Sequence, residues 1–247
     1  MALLETFEKQ GNWLFKRRSH FPLFIVTIGV LWYIFLLVHH KVFVHVWWID
    51  FLFLCVGFLG LTIRVFTVGF TPKGTSGRNT GEGQVADQLN SSGIYAVVRH
   101  PLYLGNFFMW LAPVLIISDL WFTLFFCAFY WIYYERIMFA EEQFLRKKFG
   151  QAYLDWANKT PAFIPKFLLY KKADLHFSIK NVLKREYNSF FSLVFTMTLV
   201  RAIGFAVTTK QYYLDTHWVI IISVAFVIFI SLKILKKFTK VLEVEGR

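Results

Sequence analysis

Arg99-His100-Pro101-Leu102-Tyr103-Leu104-Gly105-Asn106 closes a polar, glycine-rich segment and runs straight into apolar sequence of the membrane type. Pro101 restricts His100 to extended geometry and suits the first turn of a helix, so a helix should start here and enter a bilayer. A second polar stretch answers it two hydrophobic passages later: Glu141-Glu142, Phe149-Gly150, Tyr153, Trp156, Pro161 and Pro165. The passages between them, 103–117 (broken by Pro113) and 120–134, read as a helical hairpin turned at Ser118-Asp119. The two polar stretches should therefore meet at one membrane face.

Working outward, 57% of the chain's 247 residues are hydrophobic and 20% aromatic, gathered into long blocks rather than spread at amphipathic spacing. This is the pattern of an all-α, polytopic membrane helix bundle. Six spans of near bilayer length are expected, at 21–38, 42–63, 103–117, 120–134, 189–207 and 218–234. Residues 1–20 read as an amphipathic interfacial segment, 83–89 as one or two helical turns, and the basic stretch 166–188 as a surface helix. The chain divides into 1–63, a catalytic core 64–165, and a C-terminal part 166–247 holding the last hairpin.

The net charge of +12 is what topology alone produces, since Lys and Arg collect in cytoplasmic loops. With a cytoplasmic N-terminus, six spans put Lys16 to Arg18, the 64–102 loop, the 135–188 segment and the C-terminal tail on the cytoplasmic side. In a bacterium this would be the inner membrane. The basic residues flank spans instead of forming one stripe, which argues against a nucleic-acid partner. No cleavable signal peptide is evident, and Cys55 and Cys127 read as thiols within apolar blocks. His39, His40 and His45 lack a completing Cys or carboxylate set, so no metal site is expected. Nothing in the sequence specifies an oligomeric state.

Gly105 permits close backbone approach, and a helix N-terminus favours an anionic group. Arg, His and Tyr are equally common where a helix simply anchors at an interface. Glu141 and Glu142 suit an ammonium group or ribose hydroxyls, yet they could also pair with Arg146, Lys147 and Lys148 on a solvated helix face. Arg201, inside the fifth span, needs a partner: a lipid headgroup, Asp50 or Asp119, or the interface by snorkelling.

Taken jointly, Arg99-His100-Pro101-x-Tyr103-x-Gly105, a membrane hairpin, then Glu141-Glu142-x-x-Leu145, Phe149-Gly150-x-x-Tyr153 and a proline-terminated segment resembles the integral membrane methyltransferases. These include isoprenylcysteine carboxyl methyltransferases, phospholipid methyltransferases and bacterial relatives acting on lipid phosphates. The resemblance covers roughly 57–165 and implies S-adenosylmethionine at the cytoplasmic helix ends. It implies that Arg99, His100, Tyr103 and Gly105 border the cofactor and that Glu141 and Glu142 hold its polar groups. Tyr95, Asn106 and Tyr153 are further cofactor candidates, and Arg99, His100 and Arg78 the catalytic ones. Trp156 stands where a prenylcysteine enzyme would be expected to carry tyrosine. Arg64, Arg78, Asn79 and Arg201 are the candidate grips on the acceptor, because arginine holds phosphate or carboxylate oxygens in a bidentate fork. The expected acceptor is an anionic membrane lipid, a phosphate or carboxylate; a prenylcysteine carboxylate and a phospholipid amine are the alternatives. An NADPH-dependent, sterol-reductase-like enzyme shares the Arg-His-Pro-x-Tyr element, and a non-catalytic lipid-binding protein is the other rival. A transporter is disfavoured by the lack of repeats and paired broken helices.

Overall fold

The computed structural model describes residues 2–40, 46–72, 74, 84–211 and 214–246. Among these the chain is all-helical: α1 Leu3–Arg17, α2 Phe21–His40, α3 Trp47–Phe70, α4 Pro101–Ile116, α5 Leu120–Phe149, α6 Gln151–Ala157, α7 Ile179–Thr209 and α8 Thr216–Phe238. α3, α7 and α8 are long and apolar enough to cross a membrane; α4 and most of α2 are shorter apolar helices.

Several boundaries differ from expectation for physical reasons. α3 starts later and ends later than the expected second span, so Arg64 lies on the helix rather than opening the following loop. Its charge is met there by neighbouring helices, which lets the helix continue. The fourth span does not stop at Tyr134: α5 runs unbroken for 30 residues, about 45 Å at 1.5 Å per residue. Gly150, at φ +54°, ends it and turns the chain into α6. The basic stretch 166–188 is not one surface helix. A 3-10 turn at Phe167–Leu169 and an extended run precede α7, whose first turn is capped when the Ser178 hydroxyl accepts from the Asn181 N–H at 3.3 Å. Residues 84–90 form no helix and lie irregularly beside the cavity described below. Pro113 does not break α4, which continues through it.

α3 and α4 share the most extensive helix contact, and glycine sets how near they come. A Cβ built on Gly60 would lie 2.4 Å from the Gly105 carbonyl oxygen, and one on Gly105 would lie 2.8 Å from the Gly60 oxygen. Both obstacles are backbone. Gly60→Ala must push the helices apart and should cost about 1–3 kcal/mol, as overpacking does elsewhere. Unfolding of the detergent-purified variant measures this, and wild-type stability would show that the helices separate without penalty.

α7 contacts α2, α3, α4 and α8, and so sits at the centre of the bundle. Two ion pairs join it to the antiparallel α3. Near one end Arg201 meets Asp50, both almost fully buried. Near the other, Arg64 grips Glu186 in a bidentate fork at 2.7 and 2.9 Å. Of the two acidic partners expected for Arg201, the structure selects Asp50; Asp119 instead caps α5, accepting from Phe122 N–H at 2.6 Å.

Candidate active site

Each strand of chain around Arg99 is held by backbone bonds before any side chain is considered. Arg99 and His100 donate N–H groups to the carbonyls of Pro161 and Ala162 at 2.9 and 3.2 Å, and Lys166 donates to Val97 at 3.0 Å. The proline-rich run after α6 thus lies along the approach to α4. Trp156 Nε1–H donates to the Tyr95 carbonyl at 3.0 Å, tying α6 to the same approach.

Onto this frame α5 delivers its carboxylates. Arg99 Nε donates to Glu142 Oε1 at 2.9 Å, while its Nη1 donates to the carbonyls of Ala157 and Thr160 at 2.6 and 3.0 Å. One guanidinium therefore joins α5, the C-terminal end of α6 and the loop before α4. His100, buried, places Nε2 at 2.9 Å from Glu142 Oε1 and Nδ1 at 3.6 Å from Glu141 Oε2. Its ring stacks on Tyr103 with centroids 5.7 Å apart. The Tyr103 carbonyl accepts from the Tyr130 hydroxyl at 2.6 Å.

A cavity of about 80 Å³ opens beside this cluster, with Tyr95, Arg99, His100, Tyr103, Glu141 and Trp156 in its wall. Glu142 and Tyr153 stand behind that wall, with Tyr153 against Trp156 at 5.8 Å. Residues 52–152, which carry the hairpin and both motifs, match the phospholipid methyltransferase family model.

That segment resembles the phospholipid methyltransferases.

The family segment is less than half of the chain. A protein-S-isoprenylcysteine O-methyltransferase of Schizosaccharomyces pombe is 37% identical over 78 residues, covering 31% of this chain and 33% of that protein. The cobalt-zinc-cadmium resistance protein CzcN of Cupriavidus metallidurans is 28% identical over 124 residues, 50% of this chain and 54% of its own length. The nickel-cobalt-cadmium resistance protein NccN of Alcaligenes xylosoxydans xylosoxydans is 27% identical over 124 residues, with 50% and 55% covered. The chain thus spans between a third and just over half the length of these curated relatives. No solved structure matches it significantly.

Within the family segment the motif residues divide. Tyr95, Arg99, His100, Tyr103 and Glu141 share the cavity. Gly105 instead faces α3, and Asn106 Oδ1 accepts from Arg64 Nη1 at 2.6 Å, so these two hold the α3–α4 contact. Arg64 and Arg201 are engaged by Glu186 and Asp50. Arg78 and Asn79 lie outside the described residues. Glu141 and Glu142 meet His100 and Arg99 rather than the basic run beyond them; Lys147 pairs with Glu8 on α1 at 2.5 Å.

Sequence reasoning missed what α1 and residues 84–90 contribute. Phe15 reaches the cavity from α1, and Gln84, Gln88 and Asn90 line its other side. The Gln84 Oε1 atom is buried there with no hydrogen-bond donor among the described residues. The Arg18 guanidinium packs 3.8 Å over the Phe15 ring, and its charge acts on Glu141. Gly11 and Phe15, four apart on the amphipathic α1, are both buried against the bundle, but nothing local sets them apart from the other apolar residues of that helix.

The cluster's charges are mutually dependent. Burial opposes an imidazolium at His100, but hydrogen bonds and attraction from Glu141 and Glu142 prevail and raise its pKa above 6.5. Burial likewise opposes both carboxylates; bonding to His100 and its charge, with Arg99 added for Glu142, hold them below 4.5. A raised histidine stabilises fully below its unfolded pKa and loses that contribution as pH rises through the folded value. A lowered carboxylate stabilises above its unfolded pKa and loses that contribution as pH falls through the folded value. The melting temperature should therefore be flat from about pH 4.5 to about 6.5 and fall on the alkaline side as His100 deprotonates. His100→Gln should remove that alkaline decline in a pH series of melting curves. An unaltered decline would mean that another group carries it.

Proposed function

We propose that the protein is an integral membrane methyltransferase that uses S-adenosylmethionine to methylate an anionic lipid, a phosphate or carboxylate, at the cytoplasmic face. The observation that carries this reading is the cavity wall itself: a carboxylate, Glu141, among the rings of Tyr95, Tyr103 and Trp156, within a segment of a methyltransferase family. A sulfonium is a soft cation, and carboxylates and aromatic faces are the groups that attract one. The undonated Gln84 oxygen in the same wall suits an amine or hydroxyl donor. An 80 Å³ cavity accepts the sulfonium end only. A second, polar cavity of about 190 Å³ begins across Gln88, Leu89, Asn90 and Tyr95, and gives the nucleoside end a place.

When bound, the cofactor supplies an electrophilic methyl group. The chain's own work is positioning and exclusion of water, because in-line displacement gains most from both. A lipid phosphate or carboxylate is already ionised and needs no base. His100, fixed between two carboxylates that favour its charged form, suits a positioning role, not proton abstraction. Arg99 orients Glu142 and closes the end of α6. With Arg64 and Arg201 engaged elsewhere, Arg78 and Asn79, which lie outside the described residues, are the candidates for the acceptor. Sidedness follows from charge: the site end also carries Lys16 and Arg17 of α1, Arg146 to Lys148 of α5, and Lys236 and Lys237 of α8, which supports six spans with both termini cytoplasmic.

Calorimetry on detergent-purified protein tests the cofactor, and transfer of labelled methyl to purified anionic or amine lipids tests the acceptor. Saturable S-adenosylmethionine binding and label on the anionic lipid are expected. Binding of NADPH in its place, by folded protein, would overturn the class; label confined to the amine lipid would overturn the acceptor.

A further inference from the structure

A groove of about 830 Å³ runs between α1, α2 and α5. Helical spacing puts Lys9, Trp13 and Arg17 on one stripe of α1 facing the groove, while Phe15 faces the cavity. The groove's walls are apolar: Phe21 and Phe24 from α2, Phe129, Ile132 and Tyr133 from α5. Its mouth carries Lys9, Arg17, His20 and Arg136, and no Asp or Glu is among its described lining residues. Arg136 is already stacked 3.5 Å over Phe7 and paired with Glu135 at 3.1 Å. Arg17 is also stacked, 4.3 Å over the Trp13 ring, but Glu135 is the carboxylate partner of Arg136, and Lys9 and Arg17 lie on exposed positions of α1 facing the groove.

The two chemistries are separated along the helix axis. Phe129 lies seven residues before Arg136, about 10 Å deeper along α5. The cations sit just past the point where the apolar run of α5 ends, and the apolar walls continue inward from there. A soluble anion would leave those walls unused, and a neutral apolar molecule would leave the charged mouth unused. An amphiphile with an anionic head and hydrocarbon chains matches both.

We propose that this groove holds one anionic phospholipid, its phosphate on Lys9 and Arg17 and its acyl chains along Phe24, Phe129 and Ile132. The lipid fastens α1 to α2 and α5. Since the other face of α1 presents Phe15 to the cavity and Arg18 packs on that ring, the lipid also steadies one wall of the candidate active site. The inference does not depend on methyl transfer.

Native mass spectrometry of protein titrated with phosphatidylglycerol or phosphatidylcholine tests it. Wild type should retain one phosphatidylglycerol per chain, at least tenfold more tightly than phosphatidylcholine. Lys9→Gln/Arg17→Gln should abolish that preference. Ile132→Trp, which fills the apolar wall from an exposed position, should lower retention at least tenfold; melting curves confirm that both variants are folded. Equal retention of the two lipids by wild type would overturn the site. So would unchanged retention in Ile132→Trp, which would reduce the effect to attraction of anionic lipid to a basic surface.

Discussion

Glu142→Ala should weaken S-adenosylmethionine binding about a hundredfold and lower the melting temperature. A single oxygen of Glu142 accepts from Arg99 and from His100, each at 2.9 Å. Its removal strands two cations that are mostly shielded from water. A hydrogen bond to a charged group contributes roughly 1.5–3 kcal/mol, and a group left unsatisfied costs more than the bond was worth. About 3 kcal/mol of reorganisation at the cavity wall corresponds to about a hundredfold in affinity. The loss extends beyond the carboxylate, because Arg99 also holds the carbonyls of Ala157 and Thr160. Without Glu142, Arg99 still reaches these carbonyls but no longer ties them and the start of α4 to α5. Calorimetric titration with S-adenosylmethionine reads the affinity. A folded Glu142→Ala protein that binds like wild type would show that the cluster is architecture alone and that the cofactor site lies elsewhere.

Arg201→Leu should destabilise the bundle by about 3–5 kcal/mol, the penalty typical of leaving one member of a buried pair without its counter-charge. Asp50 and Arg201 are 2% and 3% exposed, respectively, so Asp50 has little access to water once its partner is gone. In a membrane the charge can also recruit water or draw its end of the helix toward the interface, both at the expense of packing. Asp50→Leu/Arg201→Leu should recover most of the loss, since a buried ion pair and a well-packed apolar pair are close in free energy. Reversible unfolding in mixed micelles across all four proteins gives the coupling directly. A single variant as stable as wild type would mean that Arg201 reaches the interface by itself and that the pair contributes nothing.

What the sequence revealed and what it hid have a common physical basis. Apolar block length is a local property, and it placed the apolar core of each of these helices, with α2, α4 and α8 bounded to within a few residues and α3, α5 and α7 running well past the expected ends. Helix ends that depend on distant partners were not legible. Arg64 looked like the start of a loop because its ligands, Asn106 and Glu186, lie 42 and 122 residues away. α5 looked like two elements because the composition changes at Glu135, although nothing in the backbone interrupts the helix there. The motif residues around His100 were visible as a pattern, since proline, glycine and paired carboxylates have few local uses. The parts of the cavity contributed by Phe15 and Gln84 were invisible, because no short-range periodicity links α1 or residues 84–90 to α5. Asn106 was a cofactor candidate as the last residue of the Arg99–Asn106 stretch, and only the packing of α3 shows where its side chain goes.

The two ion pairs between α3 and α7 have an electrical consequence. Asp50 and Arg64 are 14 residues apart on one helix, and Glu186 and Arg201 are 15 apart on its antiparallel partner, a separation of about 21 Å along each axis. Either helix alone would carry a strong charge separation along a membrane normal, and a transmembrane voltage would act on it, at about 2.3 kcal/mol per elementary charge per 100 mV. Side by side, each depth holds one positive and one negative group. The two charge separations oppose one another, so these four residues leave the α3–α7 unit little net dipole for a membrane field to turn.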